Sequence, residues 1–197
     1  DLQNRVAAAD RRLYAFFHPA LPDEPLIFIE VALMNDVPDS IMPILDLSVE
    51  PINPHNANTA VFYSISNCQM ALKGVSFGSF LIKQVVTEIQ QEFKEIKQFV
   101  TLSPVPGLRK WAHKMNTSKD AEFSDSISKD ISDCCNKEEV DQSTLIRLTY
   151  HYLTQIKNKS GDAINPVAHF HLGNGASIYK IHAAANSNQI AKDDSWG

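Results

Sequence analysis

The chain has 197 residues, with 18 lysines and arginines against 23 aspartates and glutamates, so its formal net charge is −5. Its residues are 44% hydrophobic and 21% charged, a balance typical of a globular domain rather than of a mostly disordered chain. The length suits one domain, or two small ones, with a sizeable core. The composition gives no sign of a protein that binds nucleic acid or a membrane surface, and no apolar run approaches the roughly 20 residues of a membrane span.

The ends of the chain and its cysteines add two expectations. The sequence begins at Asp1 and finishes on Ser195-Trp196-Gly197 without an evident stop, so we expect a piece of a longer protein. No signal peptide is visible. The three cysteines, at positions 68, 134 and 135, form neither a disulfide framework nor a Cys-x-x-Cys zinc pair. We therefore expect reduced thiols, an intracellular protein and no metal site.

The first predicted elements are mainly strands. Residues 1–17 indicate the end of a helix that runs into a strand. The segment 18–25 contains three prolines within seven residues and is predicted to be a turn without continuous regular structure. Residues 26–33 are nearly all apolar, which predicts a buried strand. A connection rich in proline and asparagine, 35–58, leads to a second strand at 59–66.

A strand, a helix and a strand follow in the clearest unit of the sequence. Residues 67–78 are predicted to form a loop that contains Gly74 and Gly78. The helix predicted at 79–96 has apolar residues at helical spacing on one side. The third strand is predicted at 98–103. Because a helix connects them, we expect the second and third strands to be parallel, with a right-handed crossover.

The second half of the chain is predicted to be mostly helical. Residues 115–142 are rich in serine, aspartate, lysine and glutamate and indicate a mobile acidic insertion that can hold a short helix. A helix is predicted at 143–157, with one apolar face formed by Leu145, Leu148, Tyr152 and Ile156. Asn165 followed by Pro166 is the pattern of an N-cap and a first helical residue, and this short helix should end at 173–175. Residues 176–183 are predicted to form a final strand.

The predicted parallel strands indicate where a ligand would bind. In an open α/β sheet, ligands lie beyond the carboxyl ends of parallel strands, which here would place the loop 67–78 and Ser103 at one edge. Free amides and the helix dipole at the start of the following helix favour a phosphate, and Gly74 and Gly78 permit a close approach of the backbone. A plain loop without a ligand has the same pattern, so that alternative stays open.

Two of the seven histidines lie close together in the sequence. His169 and His171 are two positions apart, so on a helix they point to different sides and are not expected to share a metal. One is expected to face solvent or the core, and the other is a candidate catalytic residue. The absence of a Walker phosphate loop argues against most nucleoside triphosphate chemistry.

Longer blocks of sequence resemble a known family. The blocks FYSISNCQMALKGVSFGSFLIKQVV (62–86), TLSPVPGLRKW (101–111) and NPVAHFHLGNGA (165–176) are similar to malonyl-CoA decarboxylase, as is FFHPALPDEPLIFIEVAL (16–33). The resemblance covers nearly the whole chain except the acidic segment. It implies an α/β fold like that of the GCN5-related acetyltransferases, a mixed sheet with flanking helices. Residues 1–197 would be a catalytic domain truncated at both ends, without the helical N-terminal domain of full-length members.

The resemblance also implies site residues. The catalytic serine and histidine of the family match Ser103 and His171 of this sequence. Coenzyme A would lie at a splayed pair of parallel strands, with its pyrophosphate on the loop and helix start. The matching positions are Gly74, Val75, Ser76, Phe77, Gly78 and Ser79.

The implied reaction is decarboxylation of malonyl-CoA to acetyl-CoA and carbon dioxide, with no cofactor beyond the coenzyme A of the substrate. We expect His171 to donate a proton to the enolate, because a helix C-terminus favours the imidazolium form. Ser103 would hydrogen-bond the malonyl carboxylate or the oxyanion, although a cap at the strand end is an alternative role.

The composition predicts no nucleic-acid or membrane partner, and the resemblance implies malonyl-CoA and acetyl-CoA as ligands and homo-oligomers of the full-length proteins. It does not distinguish cytoplasm, mitochondrion and peroxisome. Two other functions stay open: a CoA-dependent N-acyltransferase of the same fold, and an inactive remnant that retains a coenzyme A pocket.

Overall fold

A computed structural model describes residues 7–46, 48–68, 78–118 and 122–197. The chain divides into two compact units, Asp1–Leu102 and Ser103–Gly197, which are described separately below. The first unit contains a sheet, and the second consists mainly of helices. No helix among the described residues combines the length and the apolar character needed to cross a bilayer.

The first unit contains a four-stranded mixed sheet. Its strands lie in the order β1 (Arg11–His18), β2 (Leu21–Met34), β3 (Thr59–Asn67) and β4 (Gln98–Thr101). The β1–β2 and β2–β3 pairs are antiparallel, and the β3–β4 pair is parallel. The predicted α/β fold class and the predicted parallel pairing are therefore confirmed.

Side chains from both faces of the sheet are buried. On one face, alternate residues of β2, including Ile29, Val31 and Leu33, pack with Val85 and Ile89 of helix α2 (Gly78–Glu92). The opposite face has a smaller cluster, built from Ala32, Ile44, Val61 and Tyr63, in which Ile44 belongs to the short helix α1 (Met42–Leu45). Successive side chains of a strand point to opposite faces, so the continuous apolar sequence of β2 supplies apolar side chains to both faces of the sheet.

The first-unit strands and helix match the sequence predictions except near the first hairpin. The strands predicted at 26–33 and 59–66 are present, and so is the helix predicted at 79–96, although it ends at Glu92. The prediction that 18–25 is an irregular turn is wrong, because β2 already begins at Leu21. Among the described strands, residues 21–25 pair with β1 alone, in an irregular register, and residues 21–24 are exposed. Prolines are tolerated on such an edge because their missing N–H groups are not needed by any second strand in the described part of the sheet.

The parallel pair of strands is short, because β4 has only four residues. Only the first four residues of β3, from Thr59 to Phe62, pair with β4, and the Leu102 amide then donates to the Phe62 carbonyl (2.9 Å). Beyond Phe62, β3 continues to Asn67 with pairing to β2 alone among the described strands. The sheet therefore contains a short parallel pair, and the splay that the resemblance implies stays a prediction.

The second unit contains five helices among the residues that the structure describes. They are α3 (Leu108–Thr117), α4 (Asp125–Asn136), α5 (Gln142–Thr154), α6 (Pro166–Gly173) and α7 (Gln189–Ser195). The helix predicted at 143–157 corresponds to α5. Buried apolar side chains from the first four of these helices form one core, whose members include Leu108, Trp111, Ile131, Leu148, Tyr152 and Ala168.

Helix α4 changes the interpretation of the acidic segment. The sequence predicts a mobile insertion over 115–142, yet the described part of that segment includes the 12-residue helix α4. Ile131 and Cys134 are buried in the core of the second unit. Asp130 is also buried, and its carboxylate accepts two hydrogen bonds from Arg147 of α5, at 2.7 and 3.0 Å. The short helix is present, but it packs as part of the second unit, because its apolar residues recur at helical spacing.

The final strand predicted at 176–183 is wrong. The described residues 176–183 form neither a strand nor a helix. Ile178 and Ile181, three positions apart, both pack against the core of the second unit. A strand needs a neighbour for its backbone groups, and the described part of the second unit contains no paired strand beside this segment.

If α4 is an integral part of the second unit, truncating its buried side chain will destabilise the fold. We expect Ile131→Ala to lower the free energy of unfolding by about 3 kcal/mol, because it removes a core side chain and leaves a cavity. Chemical denaturation measures this change. Ile190→Ala is the matched control, since the Ile190 side chain is 78% exposed and its loss should have little effect. An equally small effect at Ile131 would contradict an integral role for α4.

Candidate active site

The structure brings together the two side chains that the sequence analysis names as catalytic. The Oγ atom of Ser103 lies 3.3 Å from Nε2 of His171, within hydrogen-bond distance. Both residues belong to the second unit. Ser103 is exposed, whereas His171 is partly buried. A proton can therefore be held between the two side chains, and the hydroxyl of Ser103 remains open to solvent.

Helix α6 places His171 in its last turn. The predicted N-cap is confirmed: Oδ1 of Asn165 accepts from the amides of Val167 (3.1 Å) and Ala168 (2.9 Å), and Pro166 occupies the first turn. Asn165 is fully buried, so its capping bonds are shielded from water.

The C-terminal end of α6 is closed by a turn directly after Gly173. The carbonyl of His171 accepts from the amides of Asn174 (3.2 Å) and Ala176 (3.0 Å). Gly175 has a φ of +88°, a backbone conformation that favours glycine. The predicted helix stop at 173–175 is therefore confirmed, and it fixes the backbone on which the His171 ring is mounted.

The segment after Ser103 is held by side chains from three other elements. The carbonyl of Pro106 accepts hydrogen bonds from the Tyr152 hydroxyl (3.2 Å) and from Nδ2 of Asn165 (2.9 Å). The next amide, that of Gly107, donates to Oδ1 of Asp194 (2.9 Å). Contacts from α5, α7 and the cap of α6 thus anchor the loop between Ser103 and α3.

Burial governs the protonation of His171. Desolvation lowers the pKa of His171 below its ordinary value of 6.5, because the partly buried ring loses water that would stabilise the imidazolium. The sequence analysis expects the opposite direction, from the dipole at the C-terminus of α6. Since the carbonyl of His171 already accepts two backbone amides, the end of the helix is partly satisfied and burial dominates. The neutral ring is therefore favoured at neutral pH.

His169 lies on a different side of α6, as its two-residue spacing predicts. Its side chain is 54% exposed, and Nδ1 is 4.0 Å from a carboxylate oxygen of Asp162, at the outer limit of an ion pair. The structure thus separates a solvent-facing histidine from one that contacts a serine.

The positions expected to bind coenzyme A are described only in part. Gly74, Val75, Ser76 and Phe77 lie outside the described residues. Gly78 and Ser79 form the first turn of α2, so their backbone amides belong to the start of a 15-residue helix. That position agrees with the predicted loop-to-helix junction to within one residue.

The described cysteines are not paired with one another. Cys68, Cys134 and Cys135 are free thiols, and burial raises the pKa of Cys134 to about 12. No group of three or more histidine, cysteine, aspartate or glutamate side chains within 7–46, 48–68, 78–118 and 122–197 is arranged to hold a metal ion.

Sequence reasoning missed the residues that support the serine and histidine. It identifies Asn165 as a helix cap and Tyr152 as a member of an apolar helix face, but not the bonds of both side chains to Pro106. A tyrosine on an apolar face does signal a buried hydroxyl that needs a partner. Its acceptor lies 46 residues away in the sequence, and local patterns do not identify it.

The fold and the contact between serine and histidine define a candidate enzyme domain of the α/β class. A family model for the C-terminal domain of malonyl-CoA decarboxylase matches residues 1–197. Mitochondrial malonyl-CoA decarboxylase of Anser anser anser is 39% identical to this chain over 92% of the chain's length. The enzyme of Mus musculus is 36% identical over 100% of this chain. The match covers 42% and 46% of those two relatives, so the chain spans less than half of their length.

Solved structures agree with these relatives. Malonyl-CoA decarboxylase from Rhodopseudomonas palustris is 44% identical, with a TM-score of 0.89, and that from Agrobacterium vitis is 40% identical, with a TM-score of 0.89. Each match covers all of this chain, and 47% and 50% of the respective neighbour. The chain belongs to the malonyl-CoA decarboxylase family and corresponds to its C-terminal domain.

Proposed function

We propose that the protein to which this chain belongs decarboxylates malonyl-CoA to acetyl-CoA and carbon dioxide, with Ser103 and His171 in the active site. The observation that carries this proposal is the 3.3 Å contact between Ser103 Oγ and His171 Nε2 in a member of the malonyl-CoA decarboxylase family. The two residues are 68 positions apart in the sequence, so their contact depends on the folded second unit.

The proposed reaction uses the thioester of the substrate as its electron acceptor. The bond between C2 and the carboxylate carbon breaks, carbon dioxide leaves, and the electron pair moves into an enolate whose negative charge lies on the thioester oxygen. A proton then adds to C2 and gives acetyl-CoA. Because the thioester accepts the electrons, the proposal requires no further cofactor. The protein has to stabilise the oxyanion and supply the proton.

His171 is the proposed proton donor. In the minority of molecules that carry the imidazolium form, Nε2–H donates to Ser103 Oγ, which leaves the serine hydroxyl proton free to point towards the substrate. Ser103 donates a hydrogen bond to the malonyl carboxylate or to the developing oxyanion. His171 then transfers its Nε2 proton to C2, which breaks its hydrogen bond to Ser103 and leaves a neutral ring. The lowered pKa of His171 makes the imidazolium a stronger acid, which favours this transfer.

We expect His171→Ala to lower kcat for malonyl-CoA decarboxylation by about a hundredfold or more, because the proton donor is lost. His169→Ala is the matched control: it lies on the same helix, but its side chain is 54% exposed. The assay follows acetyl-CoA and carbon dioxide formation by the intact protein without an amine acceptor, which separates decarboxylation from acyl transfer. Full activity of the His171 variant would overturn its assignment, and activity that requires an amine would overturn the proposed reaction.

The pH dependence of kcat tests the protonation state that this mechanism requires. Because burial lowers the pKa of His171 below 6.5, the imidazolium is lost as the pH rises through that lowered value. If the imidazolium is the proton donor, kcat will fall as the pH rises across this range. Steady-state rates at saturating malonyl-CoA give the profile. A kcat that instead increases with pH over the same range would show that neutral His171 is the working form.

The coenzyme A moiety is proposed to bind at positions 74–79, where the loop meets the start of α2. Among the described residues, the start of α2 supports this position, because its first-turn amides and the helix dipole favour an anionic pyrophosphate. Gly78 and Ser79 would present their backbone amides to it.

The Ser79→Asp variant distinguishes an effect on the stability of α2 from an effect on phosphate binding. We expect Ser79→Asp to raise the Kd for coenzyme A about tenfold, or about 1.4 kcal/mol, because the new charge repels the pyrophosphate. The same charge is favourable at a helix N-terminus, so α2 itself should not be weakened. The control is Gln90→Asp, at an exposed position near the other end of α2. Calorimetric titration with coenzyme A measures the Kd of each variant. Equal Kd values for Ser79→Asp and Gln90→Asp would argue against this binding position.

A further inference from the structure

The carbonyl of Pro106 accepts hydrogen bonds from two buried side chains. The Tyr152 hydroxyl comes from α5, and the Asn165 amide comes from the cap of α6. Tyr152 is 5% exposed and Asn165 is fully buried, so both donor side chains are largely shielded from water. Both lone pairs of the Pro106 oxygen are therefore used, which fixes this carbonyl in two directions.

The Tyr152 side chain is itself held firmly in place. Its ring packs against Trp111 of α3, with the ring centroids 5.1 Å apart. Its hydroxyl also lies close to Gly107, where a Cβ atom would be only 3.5 Å from the hydroxyl oxygen. Gly107 has a φ of +76°, so this turn favours glycine for conformational reasons as well. Tyr152 thus donates to Pro106 and leaves ordinary van der Waals space beside Gly107.

The loop transmits a displacement of Pro106 to Ser103. Prolines occupy positions 104 and 106, so the φ angles of two of the three residues after Ser103 are fixed near −65°. The distance from Ser103 Oγ to His171 Nε2 is 3.3 Å, which is long for a hydrogen bond. A shift of about half an ångström in the loop would therefore break this contact.

We propose that Tyr152 is a positioning residue: through the Pro106 carbonyl, its hydroxyl fixes Ser103 at the distance from His171 that the reaction requires. This inference rests on the proposed function of Ser103 and His171. Asn165 completes the arrangement, because the same side chain that donates to Pro106 also caps the helix that carries His171. Tyr152 does not contact the reacting atoms and acts through the loop.

The first test removes only the hydroxyl of Tyr152. We expect Tyr152→Phe in the intact protein to lower kcat about tenfold, with the KM for malonyl-CoA changed less than twofold, since positioning of Ser103 affects the reaction step. Tyr150→Phe is the control, because it removes a hydroxyl from the same helix at a side chain that is 54% exposed. A second variant, Asn165→Ser, keeps a capping oxygen but removes the other donor to Pro106, and should show the same selective loss of kcat. Unchanged kcat in both variants would overturn the inference.

The second test is a double-mutant cycle between Tyr152 and Ser103. If Tyr152 acts through Ser103, Tyr152→Phe will cause no further loss of kcat once Ser103→Ala is present. Additive losses would show that Tyr152 acts elsewhere, for example through general stability, and would overturn its positioning role. The two proposals fail in different ways. A fully active Ser103→Ala variant would overturn the proposed function of Ser103. If Ser103→Ala lowers kcat but the losses of the two variants are additive, only the positioning role of Tyr152 is overturned.

Discussion

One buried asparagine connects the main parts of the candidate site. Asn165 is fully buried, and its side chain makes three hydrogen bonds: two accepted from the first turn of α6 and one donated to Pro106. A buried amide without partners would cost several kcal/mol, so this side chain is stable only when the helix and the loop are both in place. The folding of α6, which carries His171, and the position of the loop after Ser103 are therefore linked through one group.

Burial and the helix dipole act in opposite directions on the candidate proton donor. The C-terminus of α6 favours a positive charge on His171, whereas partial burial of the ring disfavours it, and the lowered pKa shows that burial has the larger effect. The site therefore holds a more acidic donor that is protonated in a smaller fraction of molecules at neutral pH.

The sequence predicts elements well where one physical pattern dominates. Apolar runs identify β2 and β3, helical spacing identifies α2 and α5, and Asn165 with Pro166 identifies the start of α6. It fails where the outcome depends on a distant neighbour. Within the described residues, the part of β2 near the first hairpin has one partner strand, which makes its prolines compatible with a strand, and no described strand pairs with 176–183.

The candidate site shows the same division between local and distant information. The resemblance of the sequence blocks to malonyl-CoA decarboxylase leads to Ser103 and His171. The N-cap at Asn165 and the helix end at 173–175 explain how α6 positions the histidine. The bonds of Tyr152 and Asn165 to Pro106 join positions 46 and 59 residues apart. Local periodicity assigns Tyr152 only to an apolar helix face, so its polar role emerges from the packing of α5 against the loop.

The two prolines after Ser103 have a consequence for the entropy of folding. Ordering the backbone of an ordinary residue costs roughly 1–2 kcal/mol in conformational entropy. Proline has fewer conformations in the unfolded chain, and it also restricts the residue before it, which here includes Ser103 itself. Part of the cost of ordering this loop is therefore already met before the chain folds, and the few hydrogen bonds at Pro106 and Gly107 need to offset only the remainder.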